Sequence, residues 1–237
     1  MPWMLLLALL TTLALAGCGG LGGNMPPTPV PPTPTPTPAQ IAQQSAAAMA
    51  GLKSAHFILS IEGQPQPTGF GFQLLGAEGD VVAPDKLKAR LKARLGQSPV
   101  DSELVVLGKE RFLKNPFSGK FEPLMLQIGS LAMLDPDHGA PLLLRDLQNP
   151  TAGAREQVDG VDSDVLSGTL NPADLTALFG GTPVSDPVQA QVWIGTVDRL
   201  VRKVRLSGPI ATGEPAAIVR TLTLSGFNQD VTIERPS

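Results

Sequence analysis

The sequence predicts an α+β protein built on a strongly curved antiparallel β-sheet of about ten strands, with a few short helices able to cover one face. Three observations predict it. From His56 to Glu234, short segments with alternating apolar residues follow one another, most of them joined by turns of a few residues; that is the signature of a meandering antiparallel sheet. Helix patterns are few and cluster in the middle of the chain. A sheet with this many strands twists and curls instead of lying flat.

The segments before the sheet are of another kind. The chain has 237 residues, 18 Lys+Arg against 21 Asp+Glu, and no charged side chain before Lys53. Met4 to Ala16 (MLLLALLTTLALA) is an apolar run of 13 residues, too short to cross a hydrocarbon core but suited to the h-region of a signal peptide. The basic residues that usually precede such a run are missing from Met1-Pro2-Trp3, which leaves room for a start further upstream. Leu15-Ala16-Gly17-Cys18 follows, resembling the lipobox of bacterial lipoproteins, and Cys18 is the one cysteine of the chain. Cleavage after residue 17 and acylation of Cys18 are therefore expected, with no disulfide in the mature protein. Gly19 to Pro38 holds eight prolines and four glycines in 20 residues. That composition buries no core, and its proline part favours an extended spacer of about 3.1 Å per residue. The expected organisation is a leader over residues 1–17, a lipidated cysteine and linker over 18–38, and one globular domain over 39–237.

The domain opens on an alanine-rich helix, Ala39 to Leu52, with Ile41, Met49 and Leu52 free for burial. Strands follow at His56–Glu62 and Phe70–Val82, the second with glycines that mark bulges or close approach. Lys86 to Leu95 (KLKARLKARL) sets propensity against period. Its residue types favour helix, yet Lys86, Lys88, Arg90, Lys92 and Arg94 alternate strictly with Leu, Ala, Leu, Ala and Leu. On a helix those cations would surround the axis; on a strand they form one face. A hairpin through Gly96-Gln-Ser-Pro99 is expected, with Asp101 and Glu103 across from Arg94 and Lys92.

Further strands are expected at Glu103–Leu107, Glu110–Lys114, Phe117–Glu122, Ala154–Val158, Val161–Leu170, Val188–Ile194, Leu200–Leu206, Ala217–Leu224 and Val231–Glu234. Asp159-Gly160 suits a type I′ turn. Helices are expected at Pro123–Met133, Asp137–Leu147 and Pro172–Phe179. The inward apolar rows then either form a solid core with these helices or line a cavity beneath them, and periodicity leaves both open.

Composition and motifs exclude several functions. A net charge of −3 lacks the basic excess of a general nucleic-acid binder. The two histidines, His56 and His138, form no ligand pair, and no Cys-x-x-Cys exists. Asp159, Asp162 and Asp164 fail the spacing of a calcium loop, since Leu166 stands where an oxygen ligand belongs. Neither a Gly-x-Ser-x-Gly elbow nor a glycine-rich phosphate loop occurs. His56 reads as a structural histidine on a strand, and Asp135, before His138, as a helix cap. No enzyme, metal or cofactor is expected. The cations of Lys86–Arg94 with Arg199, Arg202, Lys203 and Arg205 read as a solvated sheet face balanced by neighbouring acids.

Several stretches resemble the LppX/LprAFG family of lipid-binding lipoproteins. They are Ala77-Glu-Gly-Asp-Val-Val-Ala-Pro-Asp-Lys-Leu-Lys-Ala89, Asn115-Pro-Phe-Ser-Gly-Lys-Phe121, Asp135-Pro-Asp-His-Gly139, Val158-Asp-Gly-Val161 leading to Leu166-Ser-Gly168, Val192-Trp-Ile-Gly195 with Asp198-Arg-Leu-Val-Arg202, Leu224-Ser-Gly-Phe227 and Ile233-Glu-Arg-Pro236. The resemblance runs in order over nearly all of residues 40–237 and includes the lipobox. Phe121 replaces the tryptophan frequent in the family, and tyrosine is absent.

The resemblance implies a half-barrel of LolA/LolB-like architecture, with helices on its concave face around a hydrophobic cavity. It implies a lipid or glycolipid ligand whose acyl chains fill that cavity, carried or presented outside the cytoplasmic membrane. Acylated Cys18 would be the anchor, an envelope transporter or acceptor protein the partner, and a monomer the working form. The residues assigned to the cavity by strand parity are Phe57, Leu59, Ile61, Phe70, Phe72, Leu87, Leu91, Leu104, Val106, Leu131, Leu142, Val192, Ile194 and Val204. Two other classes compete: a tethered structural or signalling lipoprotein with a solid core that binds an envelope component through its surface, and a hydrolase acting on envelope lipids.

Overall fold

The structure, a computed structural model, describes residues 35–63, 72–124 and 131–237. The expected leader, Cys18, most of the expected linker and Phe70 lie outside the described residues. Among the described residues, three helices and twelve strands appear in the order α1 (Pro38–Ala50), β1 (Ser54–Glu62), β2 (Gln73–Val82), β3 (Lys86–Leu95), β4 (Ser98–Leu107), β5 (Glu110–Lys114), β6 (Phe121–Pro123), α2 (Ala140–Arg145), β7 (Gln148–Ala152), β8 (Glu156–Val158), β9 (Val161–Leu170), α3 (Pro172–Phe179), β10 (Val188–Gly195), β11 (Val201–Ser207) and β12 (Val219–Ser225). All twelve strands belong to one antiparallel sheet, ordered β6-β5-β4-β3-β2-β1-β12-β11-β10-β9-β7, with β8 also paired to β9. The sheet is thus two meanders joined where β1 meets β12, His56 opposite Ser225 and Glu62 opposite Val219. It does not close on itself.

Local chemistry fixes the elements. Thr37 caps α1, accepting from the Gln40 amide while the Gln40 side chain accepts from the Thr37 amide, and Pro38 starts the helix. Ile41, Ala42, Ser45, Ala46 and Met49 form its buried face, and the small Ala42, Ser45 and Ala46 let the helix lie close to what it covers. Two glycines work on β2. The pairing of β2 with β3 slips between Leu74 and Gly76. A Cβ on Gly79 would lie 2.0 Å from the Lys88 carbonyl oxygen, and one on Gly76 2.7 Å from that of Leu59. Bulges and bare backbone at such points let a sheet bend.

On β3 the strand reading holds. Leu87, Ala89, Leu91 and Ala93 are buried and the five cations exposed. Its hairpin is tighter than expected: Leu95 pairs with Ser98 across Gly96-Gln97, so the register moves by two. Asp101 faces Lys92 and Glu103 faces Arg90. The Lys88 ammonium also lies 3.4 Å from Glu103. Asp159 and Gly160 adopt φ of 49° and 78°, and Val158 pairs with Val161 across them, as a type I′ turn requires.

Other expectations are corrected. Strand β7 was not foreseen, because Gln-Asn-Pro-Thr-Ala has turn composition; as an edge strand with a register shift between Gln148 and Thr151 it tolerates Pro150. Val231–Glu234 joins no strand, although Ile233 is buried. Only the ends of the expected helix Pro123–Met133 are described, and neither is helical: Phe121–Pro123 pairs with β5, and Leu131 adopts a positive φ of 54°, while residues 125–130 lie outside the described residues. Helix α2 starts at Ala140 after an uncapped Gly139. Asp135 instead closes its own turn, accepting from the amides of Asp137 (2.8 Å) and His138 (3.0 Å). Burial would raise its pKa, but those amides and the His138 ring hold it below the ordinary carboxylate value.

The outer face carries smaller features. Trp193 packs with Val158 and Val165, donates from Nε1 to Glu156 (2.8 Å), and lies under the Lys203 ammonium at 3.7 Å. Asp164 accepts from Arg155 Nε and Arg199 Nη1, both at 2.7 Å, linking the β7–β8 connection to the β10–β11 turn. Its side chain is 12% exposed and that of Arg199 23%, so removing the carboxylate leaves a shielded cation unpaired. Asp164→Ala is expected to lower unfolding stability by about 2 kcal/mol, read as a lower urea midpoint at unchanged slope.

Candidate functional site

The curvature of the sheet sets rows of inward side chains opposite the three helices. One row crosses seven strands in register: Leu91, Ala77, Leu59, Leu222, Val204, Val192 and Leu166. A second contains Leu104, Ala89, Gly79, Phe57 and Leu224. Side chains two residues apart on a strand share a face, so both rows look the same way. Met49 of α1, Ala140, Leu143 and Leu144 of α2, and Leu175, Leu178 and Phe179 of α3 look back at them. Between sheet and helices lies a cavity of about 490 Å³. Among the described residues, its lining side chains are apolar except at one end, where Thr212, Glu214 and Arg220 stand.

The structure brings nine of the parity-assigned residues together on this wall: Phe57, Leu59, Ile61, Leu87, Leu91, Leu104, Leu131, Val192 and Val204. Four others lie elsewhere. Val106 and Ile194 have the inward parity but are almost fully buried in the core cluster beside the cavity. Leu142 is half-buried on α2, which turns Leu143 and Leu144 to the cavity instead. Phe72 is buried ahead of β2, outside the lining. Phe70 lies outside the described residues.

Sequence reading passed over part of the wall. Leu222 and Leu224 alternate on β12, and Leu175 and Leu178 are three apart on α3, so period alone could have found them. Arg220 was missed because a charged strand residue is expected to face water, although it stands in phase with Leu222 and Leu224.

The histidines lie outside this lining. His56 is on the outer face of β1, with Nδ1 2.9 Å from Asp80 and Nε2 3.8 Å from Glu78, a cross-strand polar cluster. His138 is exposed beside Asp135. Burial, and then the charge of Asp146, raise the pKa of Asp174 at the start of α3. What the lined space can do chemically is shelter hydrocarbon. Each methylene moved there from water gains about 0.8 kcal/mol.

Comparison with known proteins gives consistent matches. The model of the LppX_LprAFG lipoprotein family matches residues 37–233. The lipoarabinomannan carrier protein LprG of Mycobacteroides abscessus is 26% identical over 231 residues, covering 95% of this chain and 92% of the relative. The crystal structure of LprF from Mycobacterium bovis superposes with a TM-score of 0.67 at 22% identity, over 86% of this chain and 99% of that one. LppX of Mycobacterium tuberculosis gives 0.60 at 21% identity, over 83% and 98%. These two structures have the same fold.

Proposed function

Because the chain belongs to the LppX_LprAFG lipoprotein family, we propose that it is a membrane-anchored carrier that holds the acyl chains of a lipid or glycolipid in the cavity under its helices. In this reading it carries or presents them across the cell envelope. The observation that carries the reading is the cavity itself, about 490 Å³ with almost entirely apolar walls, a size typical of small-ligand sites. The name of the LprG relative, a lipoarabinomannan carrier, supports a lipid ligand. Burial of acyl chains supplies affinity without a catalytic group, so no enzymatic step belongs to this function.

The anchor in this reading is Cys18, acylated once the leader is removed, with the proline-rich segment holding the domain away from the outer face of the cytoplasmic membrane. A monomer suffices, since the cavity lies within one chain, and a transporter or acceptor protein in the envelope would deliver or receive the lipid.

Transfer between vesicles tests the proposal. Donor vesicles carry a self-quenched fluorescent diacyl lipid, acceptors carry none, and the full chain is anchored to the donors. Carriage predicts dequenching at a rate proportional to protein added. A rate equal to that of vesicles without protein would contradict carriage.

A further inference from the structure

Among the described strand residues that line the cavity, one is not apolar. Arg220 lies on the cavity face of β12, two residues from Leu222 and four from Leu224. It is paired across the strands with Ile61 on one side and Leu206 on the other, both lining residues. Its side chain is only 10% exposed. A guanidinium so placed is costly unless its donors are used. One end is used: Nη2 donates to Glu214 Oε1. The other carboxylate oxygen of Glu214 accepts from the amides of Ile210 (2.8 Å) and Ala211 (3.2 Å). Glu214 is thereby locked in place and holds Arg220 in turn. Nη1 of Arg220 is buried and has no hydrogen-bond partner among the described residues.

This end of the cavity is also where the lining reaches solvent. Gly181 and Thr212 are exposed and still belong to the wall. The loop carrying Thr212 and Glu214 joins β11 to β12, and its Thr212 amide donates to the Thr182 carbonyl just past Gly181 (2.8 Å). A donor fixed at the mouth of a greasy pocket suits a ligand with a polar head and apolar tails. A guanidinium also matches phosphate oxygens better than any other side chain does.

We propose that Arg220, positioned by Glu214, is a headgroup anchor: its free Nη1 donates to a phosphodiester oxygen of a bound diacyl lipid. The head then rests at the β11–β12 loop, and the tails run inward between α1 and the rows of β1 to β4. The assignment rests on the lipid-carrier reading above and adds to it the ligand's orientation and a preference for anionic heads.

The test offers the full chain, purified in detergent and then freed of it on a resin, an equal mixture of dipalmitoyl phosphatidylglycerol and dipalmitoylglycerol. Bound lipid is extracted and counted by mass spectrometry. The anchor predicts enrichment of phosphatidylglycerol by about tenfold, the scale of one charge-assisted hydrogen bond. In Arg220→Met, and in the double variant Arg220→Met with Glu214→Gln, which leaves no unpaired carboxylate, the enrichment falls to about one while total bound lipid persists. An excess of inorganic phosphate leaves the wild-type ratio unchanged. Equal uptake of the two lipids by the wild type overturns the anchor and leaves the carrier reading intact, as does a variant that stays loaded and keeps the preference. Displacement by inorganic phosphate overturns the headgroup assignment in favour of a free anion. Failure of the wild type to retain either lipid overturns the carrier reading and the anchor with it.

Discussion

Leu91→Arg is expected to reduce bound lipid at least tenfold. Leu91 is 4% exposed and stands in the middle of β3, paired with Ala77 on one side and Ser102 on the other. Its side chain forms part of the cavity wall. A guanidinium there has two options. It can remain in the wall without a partner, at a cost of several kcal/mol, or it can extend across the cavity toward water and fill the space meant for hydrocarbon. Both exclude acyl chains. Leu91→Ala separates this effect from folding: it costs about 2–3 kcal/mol of stability through lost burial, yet it enlarges the cavity and keeps lipid bound. The readout is lipid extracted per protein, alongside far-ultraviolet circular dichroism. Wild-type loading in a folded Leu91→Arg protein would remove Leu91 from the lipid-contacting wall.

Gly79→Val carries the largest expected cost to the fold, about 3–4 kcal/mol, near the top of the range for single substitutions. Gly79 sits between Phe57 and Ala89 in a cavity row. A Cβ there would come within 2.0 Å of the Lys88 carbonyl oxygen and 2.6 Å of the Ala89 Cα. Both are backbone atoms of β3 and cannot swing aside, so β2 and β3 must part and the bend of the sheet must change. Gly51→Ala, where the nearest contact is an ordinary 3.5 Å, is expected to stay within about 0.5 kcal/mol of wild type. Urea unfolding of the two proteins distinguishes close strand approach from a general penalty for replacing glycine.

Much of this architecture was legible because alternation is a property of the strand backbone. Lys86–Leu95 shows it best: residue types favoured helix, but the period of two placed its cations outside and its leucine and alanine side chains inside, except the exposed Leu95. Turn chemistry was equally readable at Asp159-Gly160. Strand β7 was hidden because Pro150 and Asn149 signal a turn, and only its place at the sheet edge makes them tolerable. Whether inward rows meet as a core or stand apart around a cavity depends on curvature, set by glycines and bulges whose geometry no period encodes. The same limit explains Val106 and Ile194, whose parity was right but which pack into solid core beside the open space. Arg220 was invisible for another reason. Its role depends on Glu214, in the β11–β12 loop that also lines the cavity.

If the apolar space beneath the helices holds acyl chains, native mass spectrometry finds them on the protein. The unit Pro36–Ser237 contains the apolar core cluster and every described strand partner, so it is exported from a bacterial host and purified without detergent. Acyl-chain binding predicts a stoichiometric adduct that solvent extraction releases as a lipid of two or three acyl chains. A bare protein that also refuses added lipid would contradict it and leave a tethered module that works through its surface.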